Sequence, residues 1–274
     1  MIKKEVWVDS VFRWAGSKRK LLPVLMKNIP DEYGRYVEPF CGSACLFFAI
    51  KPHKALLSDI NSDLIHTFKQ IKNYPKKIAN AVAEIPVEKN IYNEIRKQKS
   101  EELKAFERAV RFTYLNRNCF NGVYRTNQKG EFNVPMGTRT GDIPDESRFV
   151  RCSVALKNAE LISKDFESLV NDIQKDDFVY LDPPYAKKGY KGRGEYGPGA
   201  FQYEDIERML GFLRIIDQRQ ASFLFSYSYD EELISLIPKH WYWKSLSVNR
   251  HVAGFSKHRG KVDEILVSNR TIQL

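Results

Sequence analysis

The residues with the most chemistry in one place are Asp182-Pro183-Pro184-Tyr185, which follow the apolar run "VYL". Neither proline has an N–H to donate to a sheet ladder, so a strand must end there. The stop sets a carboxylate, a rigid main chain and an aromatic ring side by side. That combination suits an exocyclic amine on an aromatic base. Such a nitrogen is a poor nucleophile, because its lone pair is delocalised into the ring. Two acceptors beside its two hydrogens would draw it toward tetrahedral geometry. The Asp182 carboxylate is one, and the Pro183 carbonyl, held by the fixed φ of proline, is the other. Tyr185 is placed to stack on the base. The chemistry is an in-line methyl transfer helped by positioning and charge placement rather than by a strong general base. A chance D-P-P-Y turn is the competing explanation, and the strand ahead of it argues against chance.

A second group is Glu38-Pro39-Phe40-Cys41-Gly42-Ser43-Ala44, a strand running through a small-residue turn into a helix. Gly42 permits a positive φ or a close ligand approach. One clear glycine disfavours a diphosphate cradle of the GxGxxG kind. Asp59 closes the next strand, 17 residues after Gly42. An acid there accepts hydrogen bonds from ribose hydroxyls in dinucleotide-type sheets, or it serves the start of the helix at Asn61. A nucleoside without phosphates fits one glycine and one acid, and S-adenosylmethionine is such a ligand. Phe166, in "SKDFES", is a candidate wall for an adenine slot. Lys18, in the turn "WAGSK", is a candidate partner for a carboxylate, including that of a methionine moiety; an ordinary basic helix start is the plainer reading.

These groups need a scaffold that brings strand ends together. "GRYVEPF", "KALLSDI", "NAELISKDF", "DFVYLDPPY", "ASFLFSYS" and "VDEILVSN" read as strands. Helical spacing marks "SACLFFAI", "NSDLIHTFKQIKNY" and 204–216. Strands alternating with helices imply a doubly wound α/β sheet, in which ligands sit at the carboxyl ends of the strands. Between 74 and 150 the rhythm breaks into charged helices and then a long Gly/Asn-rich loop, "CFNGVYRTNQKGEFNVPMGTRTGDIP". The expected organisation is a catalytic domain built from 1–73 and 151–274, with 74–150 as a helical insert.

The charge narrows the partner. Lys+Arg exceeds Asp+Glu by 44 to 34, a formal net charge of +10 in 274 residues, which points to an anionic partner and to nucleic acid first. Cys41, Cys45, Cys119 and Cys152 form no CxxC pair, and the five histidines show no metal-ligand spacing. The expectation is a reducing cytoplasm, no disulfide framework and no metal. No apolar run reaches the length of a membrane span, no signal peptide is evident, and no obligate protein partner is implied.

Six stretches in order now carry a resemblance: "FRWAGSKRKLL", "VEPFCGSA", "LLSDINSDLI", "FTYLNRNCFNGVYRTNQKGEFNVPMG", "VYLDPPY" and "GKVDEILVSN". Together they span nearly the whole chain, which resembles the Dam-like DNA adenine-N6 methyltransferases of bacteria, archaea and phages. The resemblance implies a Rossmann-like class I SAM-dependent methyltransferase sheet with a DNA-recognition insert. It implies S-adenosylmethionine as cofactor and duplex DNA as partner. It also implies a target adenine flipped out of the helix, since its amine is otherwise inaccessible. Trp14, Lys18 and Asp59 look like cofactor contacts, Phe40, Gly42 and Phe166 line the pocket, and Asp182 lies near the methionine end. Asp182, Pro183 and Tyr185 look catalytic. In the insert, Phe120 looks like a wedge in the vacated stack, and Asn121 and Arg125 look like base readers. Arg13 belongs near the same duplex. The basic segment 249–261, including Asn249 and Lys257, looks like a phosphate-contacting hairpin.

The chain departs from the pattern at Ala44, which stands for a usual glycine; at Asn118-Cys119, for Tyr-Gly; and at Thr138, for Arg. GATC is the leading target, the departures leave its outer bases and related sites open, and the likeness is compatible with a restriction-modification role or an orphan enzyme alike. Two other readings stand beside it: a DNA-binding protein that kept the fold without catalysis, and a methyltransferase acting on RNA or on a protein amide. Intact Asp59 and Asp182–Tyr185 weigh against the first, and the Phe120–Asn121–Arg125 insert weighs against the second. The tail after Tyr185 reads as a Lys/Gly-rich cover that orders when base and cofactor are bound.

Overall fold

The structure is a computed structural model that describes residues 7–127, 129–138, 140, 142–186, 201–249 and 261–274. Lys257, Arg139 and the Lys/Gly-rich stretch 187–200 lie outside the described residues.

Seven strands form one sheet: β1 (Arg35–Glu38), β2 (Ala55–Ser58), β3 (Ala159–Ile162), β4 (Asp177–Leu181), β5 (Ser222–Ser228), β6 (Tyr242–Asn249) and β7 (Lys261–Ser268). Their spatial order is β3-β2-β1-β4-β5-β7-β6. The first five are parallel, and β7 lies antiparallel between β5 and β6. The result is a Rossmann-like α/β sheet. The central strands β1, β2 and β4 are buried along their whole length, which explains the apolar runs of β2 and β4. Successive residues point to opposite faces. Tyr36, Phe178 and Tyr180 join one core, while Val37, Val179 and Leu181 join the other.

Nine helices flank the sheet among the described residues: α1 (Leu22–Lys27), α2 (Cys45–Ile50), α3 (Ser62–Asn73), α4 (Pro75–Ala83), α5 (Lys89–Lys97), α6 (Ala105–Asn118), α7 (Glu146–Leu156), α8 (Asp205–Gln218) and α9 (Glu231–Leu236). Asn61 caps α3 by accepting from Leu64 N–H. The apolar face of α3 packs against α6 and α7. Phe12 sits edge-on between Phe68 of α3 and Phe112 of α6, so helices of the 74–150 segment share a core with one sheet face. On the other face, α8 covers the sheet through Met209, Phe212, Leu213 and Ile216. No helix among the described residues is long and apolar enough to cross a membrane.

Several element ends differ from the sequence reading. The strand expected over "NAELISKDF" stops at Ile162, because Asp165 caps a 3-10 turn that begins at Phe166. α8 runs to Gln218 rather than ending at 216. Strand β6 and helix α9 have no counterpart in that reading. The loop after α6 is partly paired: Cys119 bridges Met136, Thr126 bridges Phe132, and Asn133 N–H donates to the Arg125 carbonyl. It is thus a short hairpin, closed where Asn127 N–H donates to the Glu131 carbonyl, rather than open coil. The arms of the basic hairpin are β6 and β7, paired as far as Asn249 and Lys261.

β1 and β4 are neighbours whose onward connections leave in opposite directions, toward β2 and toward β5. The crevice this opens lies beyond their carboxyl ends. Glu38, the Phe40–Ala44 turn and Asp182 all lie there.

Candidate active site

Asp182 follows β4 directly and is held from two sides. Lys18 Nζ lies 2.6 Å from Asp182 Oδ1. Ser226 Oγ donates to the same oxygen at 2.9 Å. Ser226 is fully buried on β5 and within hydrogen-bond distance of the Tyr180 hydroxyl at 3.2 Å. Parallel pairing of Leu181 with Phe225 sets the next residue of each strand, Asp182 and Ser226, side by side. Both bonds fall on Oδ1, and among the described residues no hydrogen bond reaches Oδ2. Lys18 Nζ also stands 4.8 Å from the centroid of the Tyr185 ring. That ring meets Tyr227 edge-on at 5.2 Å, and the Tyr227 hydroxyl accepts from Ala186 N–H at 3.0 Å. Lys18 is thus engaged with Asp182, a carboxylate of the chain itself.

The second half of the crevice is built on Gly42, whose φ is +45°. A Cβ at this position would lie 2.6 Å from Trp14 Nε1, so only glycine lets the indole rest on the turn. Gly42 N–H donates to Asp59 Oδ2 at 2.9 Å, and Asn61 N–H donates to Asp59 Oδ1 at 2.9 Å. Asp59 therefore ties the turn after β1 to the turn after β2, while Asn61 does the capping. Burial lifts the Asp59 carboxyl from 3.8 to about 6, against the two N–H donors that favour its charged form. Phe40 and Phe166 rings lie 5.2 Å apart, and Phe201 meets Phe40 edge-on at 6.0 Å. These rings pack on one another at the edge of the core that holds Val37, Val179 and Leu181.

Glu38 is a site residue that the sequence reading leaves out of its list. It is buried, accepts a hydrogen bond from the Tyr36 hydroxyl at 2.9 Å, and ends β1 between the two other acids. Burial pushes its carboxyl well above the usual range, and the nearby Asp182 and Asp59 carboxylates push the same way. The signal for Glu38 was present in "VEPF". Ser226, in "FSYS", offered none, because its role depends on register with β4.

A separate group gathers around the end of α6. Arg13 N–H donates to Asn116 Oδ1 at 2.9 Å, and Asn116 Nδ2 donates back to the Arg13 carbonyl at 2.7 Å. A guanidinium N–H of Arg13 donates to the Arg117 carbonyl at 3.1 Å. This clamp sets Arg13 against the turn Phe120-Asn121-Gly122, where a Cβ on Gly122 would lie 2.6 Å from Arg13 Cβ. Asn121 and Gly122 have φ of 56° and 66°, and Phe120 is 40% exposed at the apex. Arg125 stands on the hairpin that follows, its Nε 3.0 Å from Asn133 Oδ1. The structure thus brings Arg13, Phe120 and Asn121 together. Asn249 is apart from them at the end of β6, on the far edge of the sheet.

Comparison with known proteins gives the family. The sequence model of a family described as D12 class N6 adenine-specific DNA methyltransferase matches residues 14–252. The Type II methyltransferase M1.LlaDCHI of Lactococcus lactis subsp. cremoris is 33% identical, over 97% of this chain and 97% of that protein. The DNA adenine methylase of Haemophilus influenzae is 32% identical over 93% and 91% of the two chains. The DNA adenine methylase of Escherichia coli K12 is 28% identical over 93% and 92%. The family match starts at Trp14, takes in the Gly42 turn, the insert and Asp182–Tyr185, and ends beyond β6, so it covers every element of the crevice. The chain belongs to the D12 class of N6 adenine-specific DNA methyltransferases.

Proposed function

We propose that this methyltransferase takes S-adenosylmethionine as methyl donor and acts on the N6 amine of an adenine flipped out of duplex DNA, within GATC or a related site. In this reading 1–73 and 151–274 form the catalytic domain, and 74–150 form the target-recognition insert. The observation that carries the reading is the fixed Asp182 carboxylate, with Oδ1 held by Lys18 and Ser226 beside the Tyr185 ring.

The crevice suits the donor. Asp59 is the acceptor for ribose hydroxyls, the Phe40–Phe166 slot is the apolar seat for adenine, and the Trp14–Gly42 contact shapes the turn between them. When bound, S-adenosylmethionine supplies a methyl group on a positively charged sulfur that leaves as a neutral thioether. The chain's own residues do the rest. Asp182 Oδ2 accepts one N6 hydrogen and the Pro183 carbonyl the other, which holds the nitrogen lone pair toward the methyl carbon. The methylated amine would then lose its extra proton toward Asp182 and on to water. Tyr185 holds the base by stacking. Lys18 holds Asp182 in orientation through its contact with Oδ1.

Phe120 is the wedge for the gap left by the adenine, Asn121 and Arg125 read base edges, and Arg13 steadies the same turn. Lys257 and Asn249 serve the flanking phosphates. The test is to express the chain in a strain that lacks adenine methylation and to map methylated adenines across the genome. GATC or a close variant is expected. No adenine methylation would refute the reading, and Asp182→Ala should abolish the marks while leaving duplex binding largely intact.

A further inference from the structure

Asp63 lies in the first turn of α3, four residues after Asp59, and it does not face the crevice. Its carboxylate is nearly buried and takes donors from three separate parts of the insert. Arg108 Nε of α6 is 2.5 Å from Oδ1. Ser100 Oγ, before α6, is 2.8 Å from Oδ2, and the Tyr124 hydroxyl is 3.0 Å from Oδ2. A buried carboxylate is stable only when its oxygens are met in this way. The donors fix where the hairpin beginning at Arg125 leaves the body of the protein.

Tyr124 then turns back toward the catalytic side. Its ring lies nearly parallel to Trp14, 15° between planes and 6.3 Å between centroids. Trp14 in turn rests on Gly42, which donates to Asp59. The contacts close a ring: Asp59 holds Asn61 N–H, α3 starts at that cap, Asp63 binds Tyr124, Tyr124 stacks on Trp14, and Trp14 packs on Gly42. One half of the ring is the turn assigned above to the cofactor. The other half is the root of the hairpin that carries Arg125.

We propose that Asp63 and Tyr124 are positioning residues that couple cofactor binding to target reading in this methyltransferase. The inference rests on the function proposed above. Neither residue touches cofactor or base. Ordering the Gly42 turn fixes Trp14, which fixes Tyr124 and the hairpin root, and ordering the hairpin on DNA acts back along the same contacts. Such coupling is reciprocal by linkage. A cofactor product therefore binds more tightly in the presence of the target duplex, and the duplex binds more tightly in its presence.

The experiment measures the affinity of S-adenosylhomocysteine by calorimetry, with and without a duplex that carries the mapped methylation site. In the parent chain the duplex is expected to tighten binding by about fivefold or more. Tyr124→Phe keeps the ring and loses the hydroxyl donor, and Asp63→Asn keeps the shape and loses the charge. Both should cut the effect of DNA to within about twofold. Binding of S-adenosylhomocysteine alone should stay within about twofold of the parent. A hairpin merely loosened by either change would weaken DNA binding equally with and without S-adenosylhomocysteine, leave the coupling factor intact, and overturn the inference. A parent that binds both ligands without coupling overturns it too, while the proposed function stands. A parent that binds neither overturns both.

Discussion

Asp59 offers the most direct test of the cofactor pocket, because burial has lifted its carboxyl to about 6. Ribose hydroxyls donate to the ionised form and favour it, so S-adenosylmethionine or its product must displace a proton from Asp59 at low pH. Binding then weakens as pH falls through the folded value. For a carboxyl titrating near 6, the dissociation constant should rise about twofold at pH 6 and about tenfold at pH 5, relative to pH 8. The tenfold change is about 1.4 kcal/mol. The sign for folding of the free protein is opposite. A carboxyl raised from 3.8 to about 6 binds its proton more readily folded than unfolded. Its contribution to stability is complete below pH 4 and is lost as pH rises through 6, by about 3 kcal/mol at most. Calorimetric titration of S-adenosylhomocysteine from pH 5 to 8, without DNA, reads the effect directly. Asp59→Asn should bind weakly and show a flat profile over that range. A parent whose affinity is constant from pH 8 to 5, or an Asn variant with the parent's slope, would refute the assignment of Asp59 to the ribose.

Gly42→Ala combines a left-handed φ with a Cβ 2.6 Å from the Trp14 indole. It should lower stability by about 2–4 kcal/mol in urea denaturation and raise the dissociation constant for S-adenosylhomocysteine more than tenfold. Lys18→Met removes one of the two groups on Asp182 Oδ1. A charge-assisted hydrogen bond of about 1.5–3 kcal/mol is lost, so single-turnover methylation should slow by about 10- to 100-fold, with duplex affinity changed far less. A slowing below about threefold would mean that Lys18 does not support Asp182. Arg125→Ala should relax discrimination at one base pair of the target by about 1–3 kcal/mol in competition binding, and uniform weakening across sequences would assign it to phosphate instead.

The sheet was legible because its central strands are buried on both faces, and a run such as "DFVYL" has few other uses. The turn chemistry was legible for the same local reason. Proline ends β4 at Asp182, and glycine admits Trp14 at position 42. What stayed hidden depends on partners distant in sequence. Ser226 is one of two serines in "FSYS" until pairing with β4 sets it beside Asp182. Tyr124 reads as an ordinary apolar residue of a loop until Asp63 and Trp14 appear on either side of it. Lys18 was legible as a partner for a carboxylate, but which one was not: the acid it meets is 164 positions along the chain. Strand β6 was missed because Tyr242–Ser245 and Ser247 are exposed at the sheet edge, and the sequence lacks the unbroken apolar run of the centre.

Ala44 shows how such a local departure is absorbed. The sequence has alanine where the resembling family has a second glycine. Ala44 keeps a left-handed φ of 52° at the N-cap of α2. An L-residue in that region costs about 1–2 kcal/mol. Its methyl group, fully buried in the core, returns about 0.8 kcal/mol. Burial offsets part of the cost, and the turn is formed with alanine at position 44. Position 42 has no such compensation, since its Cβ would meet the Trp14 indole rather than a gap. One glycine in this turn is therefore required by contact and the other only by conformation, which is why the chain has kept the first and could lose the second.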